Sequence, residues 1–224
     1  MPGEGLNADF SKRVVMHTAA MDWLASPSPS VWRKRLDQAG AAESSRVTSI
    51  VRYDANSAFP EHPHPDGEEV LVLDGVFSDE HGEYPAGTYL LNPEGFSHAP
   101  FSSEGCVLFV KLQQYPGMNR RHIIIDSNRA DWRAGAASGT ETITLYEEAG
   151  YPETMHLIRV AADTAIPGHG HPGGEELLVL DGDVEDADGR YERGSWVRTP
   201  PDSRHALRSR EGCTLYMKRG HLAS

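Results

Sequence analysis

Cysteine is almost absent from this chain: two in 224 residues, Cys106 and Cys213. Both follow Glu-Gly, 107 residues apart, and mates on two separate units are poorly placed to form a disulfide. They read as small buried hydrophobes on strands. Basic residues are also scarce. The 21 Lys and Arg against 33 Asp and Glu give a net charge of −12, which disfavours direct DNA or RNA binding, because phosphate contacts need a basic surface. No apolar run approaches the length that spans a bilayer, and no apolar h-region opens the chain. A soluble cytoplasmic protein without membrane association is therefore expected.

A convincing amphipathic helix is missing as well. From Arg46 onward the pattern is short β-branched or aromatic runs, such as Val47–Tyr53, Glu69–Leu73, Thr88–Leu91 and Val107–Lys111. Asp74-Gly75, His81-Gly82 and Glu104-Gly105 punctuate them, as do Asp181-Gly182, Asp188-Gly189 and Glu211-Gly212 further on. Residues 58–111 and 165–218 align without a gap, with roughly half of the positions identical. The expected architecture is all-β: two jelly-roll barrels in tandem. Residues 1–45 read as an N-terminal arm that partly packs on the first unit, with a short helical turn near Trp32–Gln38. Unit 1 then spans 46–115 and unit 2 spans 141–224. Residues 116–140 form a linker around a short strand, Ile123–Ile125.

The repeat carries a constellation. His62-Pro-His64, then Glu68 and His98, returns at the same shift of 107 as His169-Gly-His171, Glu175 and His205. Alternate strand residues face one side, so each His-x-His pair points the same way. Pro-Asp-Gly and Pro-Gly-Gly turn the chain so that Glu68 and Glu175 come back alongside, and His98 and His205 arrive from another strand. Three imidazoles and a carboxylate suit a divalent metal: zinc, iron, nickel or copper by the nitrogens, manganese by the oxygen. On an octahedral ion two positions stay open; on tetrahedral zinc the site closes. A lone His-x-His is more often surface, but four residues at matching spacing, twice, point to metal. The remaining histidines (His17, His81, His122, His156 and His221) read as solvent or packing residues. Phe59, Phe96 and Phe101 flank the unit 1 ligands and line either a pocket or the barrel core; their mates are Ile166, Ser203 and Arg208. Arg198, Arg204, Arg208 and Arg210 cluster near His205 and read as a solvated rim, with attraction of an anion as the alternative.

These residues resemble the cupin superfamily. Its second motif is seen in Gly87, Pro93-Glu-Gly95 and His98, and in Gly194, Pro200 and His205, where Asp202 replaces the motif glycine and a displaced turn is expected. The family's asparagine after the histidine is Ser102 or Ser209 here, and its glycine before the first histidine is Asn56 or Asp163. More closely, Gly67–Tyr89, Ser97–Phe101 and Thr48–Tyr53, with Gly173–Gly182 and Tyr191–Arg198, resemble the cupin domain of ChrR-family anti-sigma factors. That resemblance implies zinc held by His62, His64, Glu68 and His98, and by His169, His171, Glu175 and His205, and a role in sensing oxidative stress. The sigma-binding domain of that family is helical with a Cys-x-x-Cys, whereas the first 45 residues here have no cysteine and are Pro-rich. Direct sigma-factor inhibition is accordingly not carried over.

Two functions compete. One is a stress-sensing or transcription-regulatory module with a regulatory protein partner. The other is a mononuclear metal-dependent dioxygenase or related enzyme acting on a small chelating ligand such as a diketone or flavonol, with Glu68 as either ligand or base. Ions that mainly support folding are a third reading. Each of two sites is expected to take a divalent ion, zinc first, with iron, manganese or nickel as alternatives. Exposed edge strands point to a homodimer.

Overall fold

The computed structural model describes residues 5–40 and 45–222. Among them the chain is strands and turns, with a single 3-10 turn at Thr18–Ala20 and no α-helix. Two compact units emerge, each with its own apolar core.

In unit 1 the main sheet runs in the order Ile123–Asp126, Thr88–Asn92, Glu68–Asp79, Cys106–Leu112, Arg46–Tyr53, Val31–Ala39 and Leu24–Ala25, all antiparallel. Alternation places Val70, Val72, Leu90, Leu108 and Val110 in one buried cluster with Phe77 and Tyr53. Burying such side chains contributes about 1.5–3 kcal/mol each. The strand Glu68–Asp79 is long enough to serve two sheets. Its first half pairs with Thr88–Asn92 and its second with Gly82–Pro85 and Phe101–Ser102. It bends where the register against Cys106–Leu112 shifts. Gly75 follows at φ +70°, and a Cβ there would run into the Gly105 carbonyl oxygen. The bend lets Glu68 and Asp79, at opposite ends of one strand, approach the same histidine.

Unit 2 repeats this plan with Val14–His17, Ser195–Thr199, Glu175–Glu185, Cys213–Arg219, Thr154–Val160, Thr140–Tyr146 and Arg133–Ala134 in order. Its bend recurs between Val179 and Asp181, followed by Gly182 at φ +69°. Val14–His17 closes this sheet, pairing Val14 with Arg198 through His17 with Ser195. Residues 9–20 therefore belong to unit 2, while Ile123–Asp126, from between the repeats, closes unit 1. The arm packs partly on the first unit, as expected, through residues 5–8 and 21–40, while its middle, residues 9–20, does not. Nor is there a helical turn near Trp32–Gln38: Val31–Ala39 is a nine-residue strand. Its pairing with Arg46–Tyr53 outweighs the helix-favouring Arg-Lys-Arg-Leu composition. Residues 1–4 and 41–44 of that arm lie outside the described residues.

The departures from the cupin pattern leave the backbone intact. Asp202 holds φ +62°, close to the +82° of Gly95. The Asp202 N–H donates to the His171 carbonyl at 2.9 Å, as that of Gly95 does to His64 at 3.0 Å. The expected displacement of this turn does not occur, since aspartate is among the few residues that tolerate the left-handed region. Asn56 and Asp163, in place of a glycine, likewise sit at φ +61° and +55°. Ser102 and Ser209 are buried and donate to the Val76 and Asp183 carbonyls.

Candidate metal centres

His62 and His98 are cross-strand partners in the short pair His62–Pro63 with Ser97–His98. His169 and His205 are partners across Thr164–His171 and Ser203–Ser209. Two residues on stand His64 and His171. A turn then closes as the Gly67 N–H donates to the His64 carbonyl (3.2 Å) and that of Gly174 to His171 (3.0 Å). Glu68 and Glu175 follow as the first residues of the long strands.

In unit 1 one nitrogen from each of His62, His64 and His98 lies within 4.8 Å of the others. The Nε2 atoms of His64 and His98 are 2.9 Å apart, and Glu68 Oε2 is 3.6 Å from both. In unit 2 His169, His171, Glu175 and His205 all converge within 4.8 Å. There the His171 and His205 Nε2 atoms are 3.0 Å apart, and Glu175 Oε1 is 3.2 Å from His205 Nε2. Seven of the eight residues singled out by the repeat thus gather within 4.8 Å in two clusters, and Glu68 stands 3.6 Å from two of its three histidines.

The protonation chemistry fits a cation. His62 and His169 each place Nδ1 2.9 Å from a proline carbonyl, Pro60 or Pro167, and must donate there. His98 Nδ1 donates to Asp79 Oδ2 at 3.0 Å. Those bonds leave Nε2 as the lone-pair atom facing the cluster, and Nε2 of His169 is buried with no hydrogen-bond partner. Burial pushes His64 down to about 4, with His62 adding to the effect. Burial also takes His171 to about 4, against the opposing pull of Glu175. Both imidazoles are therefore neutral at neutral pH. Burial raises Glu68, only partly countered by His98 and by Asn92, whose Nδ2 donates to Oε2 at 3.0 Å. Glu175 differs: burial would raise it too, but His205, Arg219 and His171 together hold it at about 2.

Each cluster faces a cavity. In unit 1 about 110 Å³ is enclosed by His62, His64 and Glu68 with Phe59, Phe77 and Leu108 among the apolar walls, and Arg33 and Arg35 also line it. In unit 2 an opening of about 600 Å³ reaches His169 and Arg219 past Thr142, His156 and Ile166. Phe59 is thus a pocket residue. Phe96 instead packs its ring on His98 (5.5 Å) and His122 (4.7 Å). Phe101 pairs with Ala58 and Ser78 at the sheet edge. Glu69 points away from the site, accepting from Tyr89 at 3.0 Å. Arg198 is not on a solvated rim: it is fully buried, donating to the Asp9 carbonyl over the Phe10 ring. Arg204, Arg208 and Arg210 are exposed. Cys106 and Cys213 are free and buried, and burial pushes both thiols to about 11.

Sequence reasoning missed Asp79, Asn92, Asp186, Arg13 and Arg219, which stand behind the ligands. Asp79 and Asp186 could have been found, because they are identical repeat mates in a stretch where Val76-Phe-Ser has become Asp183-Val-Glu.

The fold recurs in solved structures. A candidate dioxygenase from Nostoc punctiforme superposes with a TM-score of 0.78 at 15% identity, over 96% of this chain and 85% of that one. The pirin YhhW of Escherichia coli in complex with nickel(II) gives 0.70 at 12%, over 93% and 98%. A salicylate 1,2-dioxygenase from Pseudaminobacter salicylatoxidans gives 0.65 at 14%, over 94% and 84%. No curated protein matches this chain in sequence. At these identities the likeness speaks to fold alone. The family is settled by sequence: the ChrR cupin-like domain matches residues 11–116 and again 120–223. Each match begins just ahead of the strand that its segment lends to the other unit, Val14–His17 or Ile123–Asp126. The chain belongs to the ChrR cupin-like family and carries two of its domains in tandem, a bicupin.

Proposed function

We propose that this bicupin is a metal-dependent enzyme of the cupin type whose working centre is in unit 1, acting with oxygen on a small chelating compound such as a diketone. The observation that carries this reading is the cavity. Three of the four candidate ligands in unit 1 form part of its wall, so a metal held there would face a partly open cavity rather than being sealed by protein. His62, His64, His98 and Glu68 would hold the ion, which when bound supplies a Lewis acid and a template for substrate. Phe59 and Phe77 exclude water from the space beside it. Asp79 keeps His98 in the tautomer that presents Nε2, and Tyr84, donating to Asp79 Oδ1 at 3.0 Å, keeps Asp79 in place. The dioxygenase names among the fold neighbours agree with this reading. The iron-loaded protein should consume oxygen with at least one small diketone or flavonol, and His98→Ala should not. Absence of turnover across such compounds, with iron bound, would remove the proposal.

The ChrR kinship favours a second reading, a stress-sensing regulatory module in which metal occupancy alters a surface recognised by a protein partner. Affinity capture from oxidatively stressed cells, wild type against His98→Ala, separates the two. A partner bound only by the metal-competent form, without turnover, selects the sensor.

A further inference from the structure

The two centres share four ligand types but differ in the charges behind them. The cross-strand partner of Glu68 is Leu112, whereas that of Glu175 is Arg219. Arg219 Nε donates to Glu175 Oε2 at 2.7 Å, so this carboxylate already has a counter-charge. Glu68 is held by the neutral amide of Asn92 at 3.0 Å, and the corresponding residue in unit 2 is Thr199.

The outer carboxylates repeat the contrast. Asp79 Oδ2 accepts from His98 Nδ1 at 3.0 Å. Asp186 lies 4.0 Å from His205 Nδ1, and its Oδ2 accepts from Arg13 at 2.7 Å instead. Arg13 directly precedes the strand Val14–His17 that closes unit 2; the residue that directly precedes the closing strand of unit 1 is His122, which packs on Phe96. Arg33 and Arg35 line the unit 1 cavity, but from a strand three places along the sheet from Glu68.

We propose that unit 1 is the tight divalent-cation site and that Arg219, seconded by Arg13, makes unit 2 a weak one. This rests on reading both clusters as metal centres. A cation gains most from carboxylates that nothing else neutralises. A guanidinium hydrogen-bonded to a ligand carboxylate stands within a few ångströms of the incoming ion, in a buried site where repulsion is poorly screened. His205 also lacks the close carboxylate that orients His98, and such outer partners are worth about 10–100-fold in metal affinity. The chain then takes up one ion at low supply and a second only at higher supply.

The test is zinc titration of the full chain in competition with a chromophoric chelator, which reads affinity without any activity. Two classes of site should appear, at least about tenfold apart. His98→Ala should abolish the tight class and His205→Ala the weak one. In the His98→Ala background, adding Arg219→Leu should tighten the remaining site by about tenfold. In the His205→Ala background, Leu112→Arg should weaken the remaining site comparably. Far-ultraviolet circular dichroism identifies any variant that fails to fold, and the reciprocal pair leaves one substitution to decide. Equal affinities in the wild-type chain, or no response to either substitution in a folded protein, overturns the inference and leaves the metal reading standing. No zinc at either site overturns both.

Discussion

Removing residues 1–20 should damage the unit that is distant in sequence and spare the one that follows directly. In unit 1 the described residues of the deleted segment contribute hydrogen bonds that include Gln38 N–H to the Leu6 carbonyl (2.8 Å) and Asn7 Nδ2 to the Leu36 carbonyl (2.7 Å). At about 1 kcal/mol each, these are matched by the chain entropy regained. Unit 2 loses a whole edge strand, in register from Val14–Arg198 to His17–Ser195, and with it Val15 from its apolar cluster. It also loses Arg13, which bonds Asp186 at 2.7 Å and Tyr191 at 2.6 Å and leaves Asp186 buried without its counter-charge. Backbone bonds of about 2–4 kcal/mol in all, about 1 for Val15 and about 2–3 for Arg13 are offset by about 4 from releasing four strand residues. The net loss is about 1–4 kcal/mol, falling on unit 2. Hydrogen exchange read by mass spectrometry should show Ser195–Thr199 exchanging roughly 5- to 1,000-fold faster, with Thr88–Asn92 unchanged. If protection were lost at Thr88–Asn92 and kept at Ser195–Thr199, the assignment of these strands would be wrong.

Three further outcomes follow from the sites. In chelator-treated protein, His64 and His171 are held down to about 4 by burial, so unfolding lets each take a proton as pH falls below its ordinary 6.5. The histidine contribution should decline from pH 6.5 to 4, by about 3 kcal/mol per histidine before coupling. Glu68, raised by burial, regains stability as pH falls through its folded pKa and so offsets His64 in unit 1; Glu175, held at about 2, instead adds a further loss in unit 2 as pH falls below 4.5 toward 2. Urea midpoints that stay level between pH 7 and 4 would contradict this. Gly67→Ala places a Cβ 2.6 Å from the Tyr115 carbonyl oxygen and 2.8 Å from that of Asn92, at φ +74°. It should cost about 2–4 kcal/mol in urea unfolding and weaken zinc at unit 1, while Asp202→Gly stays within about 0.5 kcal/mol. Asp79→Asn should lower zinc affinity in unit 1 by about 10–100-fold and Asp186→Asn should do less in unit 2, as competition titration will show.

What the sequence makes legible, and what it hides, divides along one physical line. Properties set by local spacing can be read directly: alternation gives the strands, and the undisturbed shift of 107 gives the two ligand sets. The barrel core and the absence of helix follow from the same periodicity. Pairings between distant segments cannot be read, because Val14–His17 as an edge strand is equally compatible with either sheet until the register is known. Val31–Ala39 was misleading for the same reason, its helix-like composition being overruled by a neighbour strand. The Asn56, Asp163 and Asp202 exchanges look like broken motifs in letters, yet each preserves a left-handed backbone that only a few residue types can hold. The reverse holds behind the ligands. Leu112 and Arg219 occupy one aligned position and look like ordinary divergence. Only the cross-strand register places that position beside the ligand carboxylate. A duplicated site must keep its donors and its turns to remain a site, so those persist in the letters. The charges that tune it are free to differ, so identical ligand sets predict where an ion sits and leave its affinity to residues that only the fold brings near.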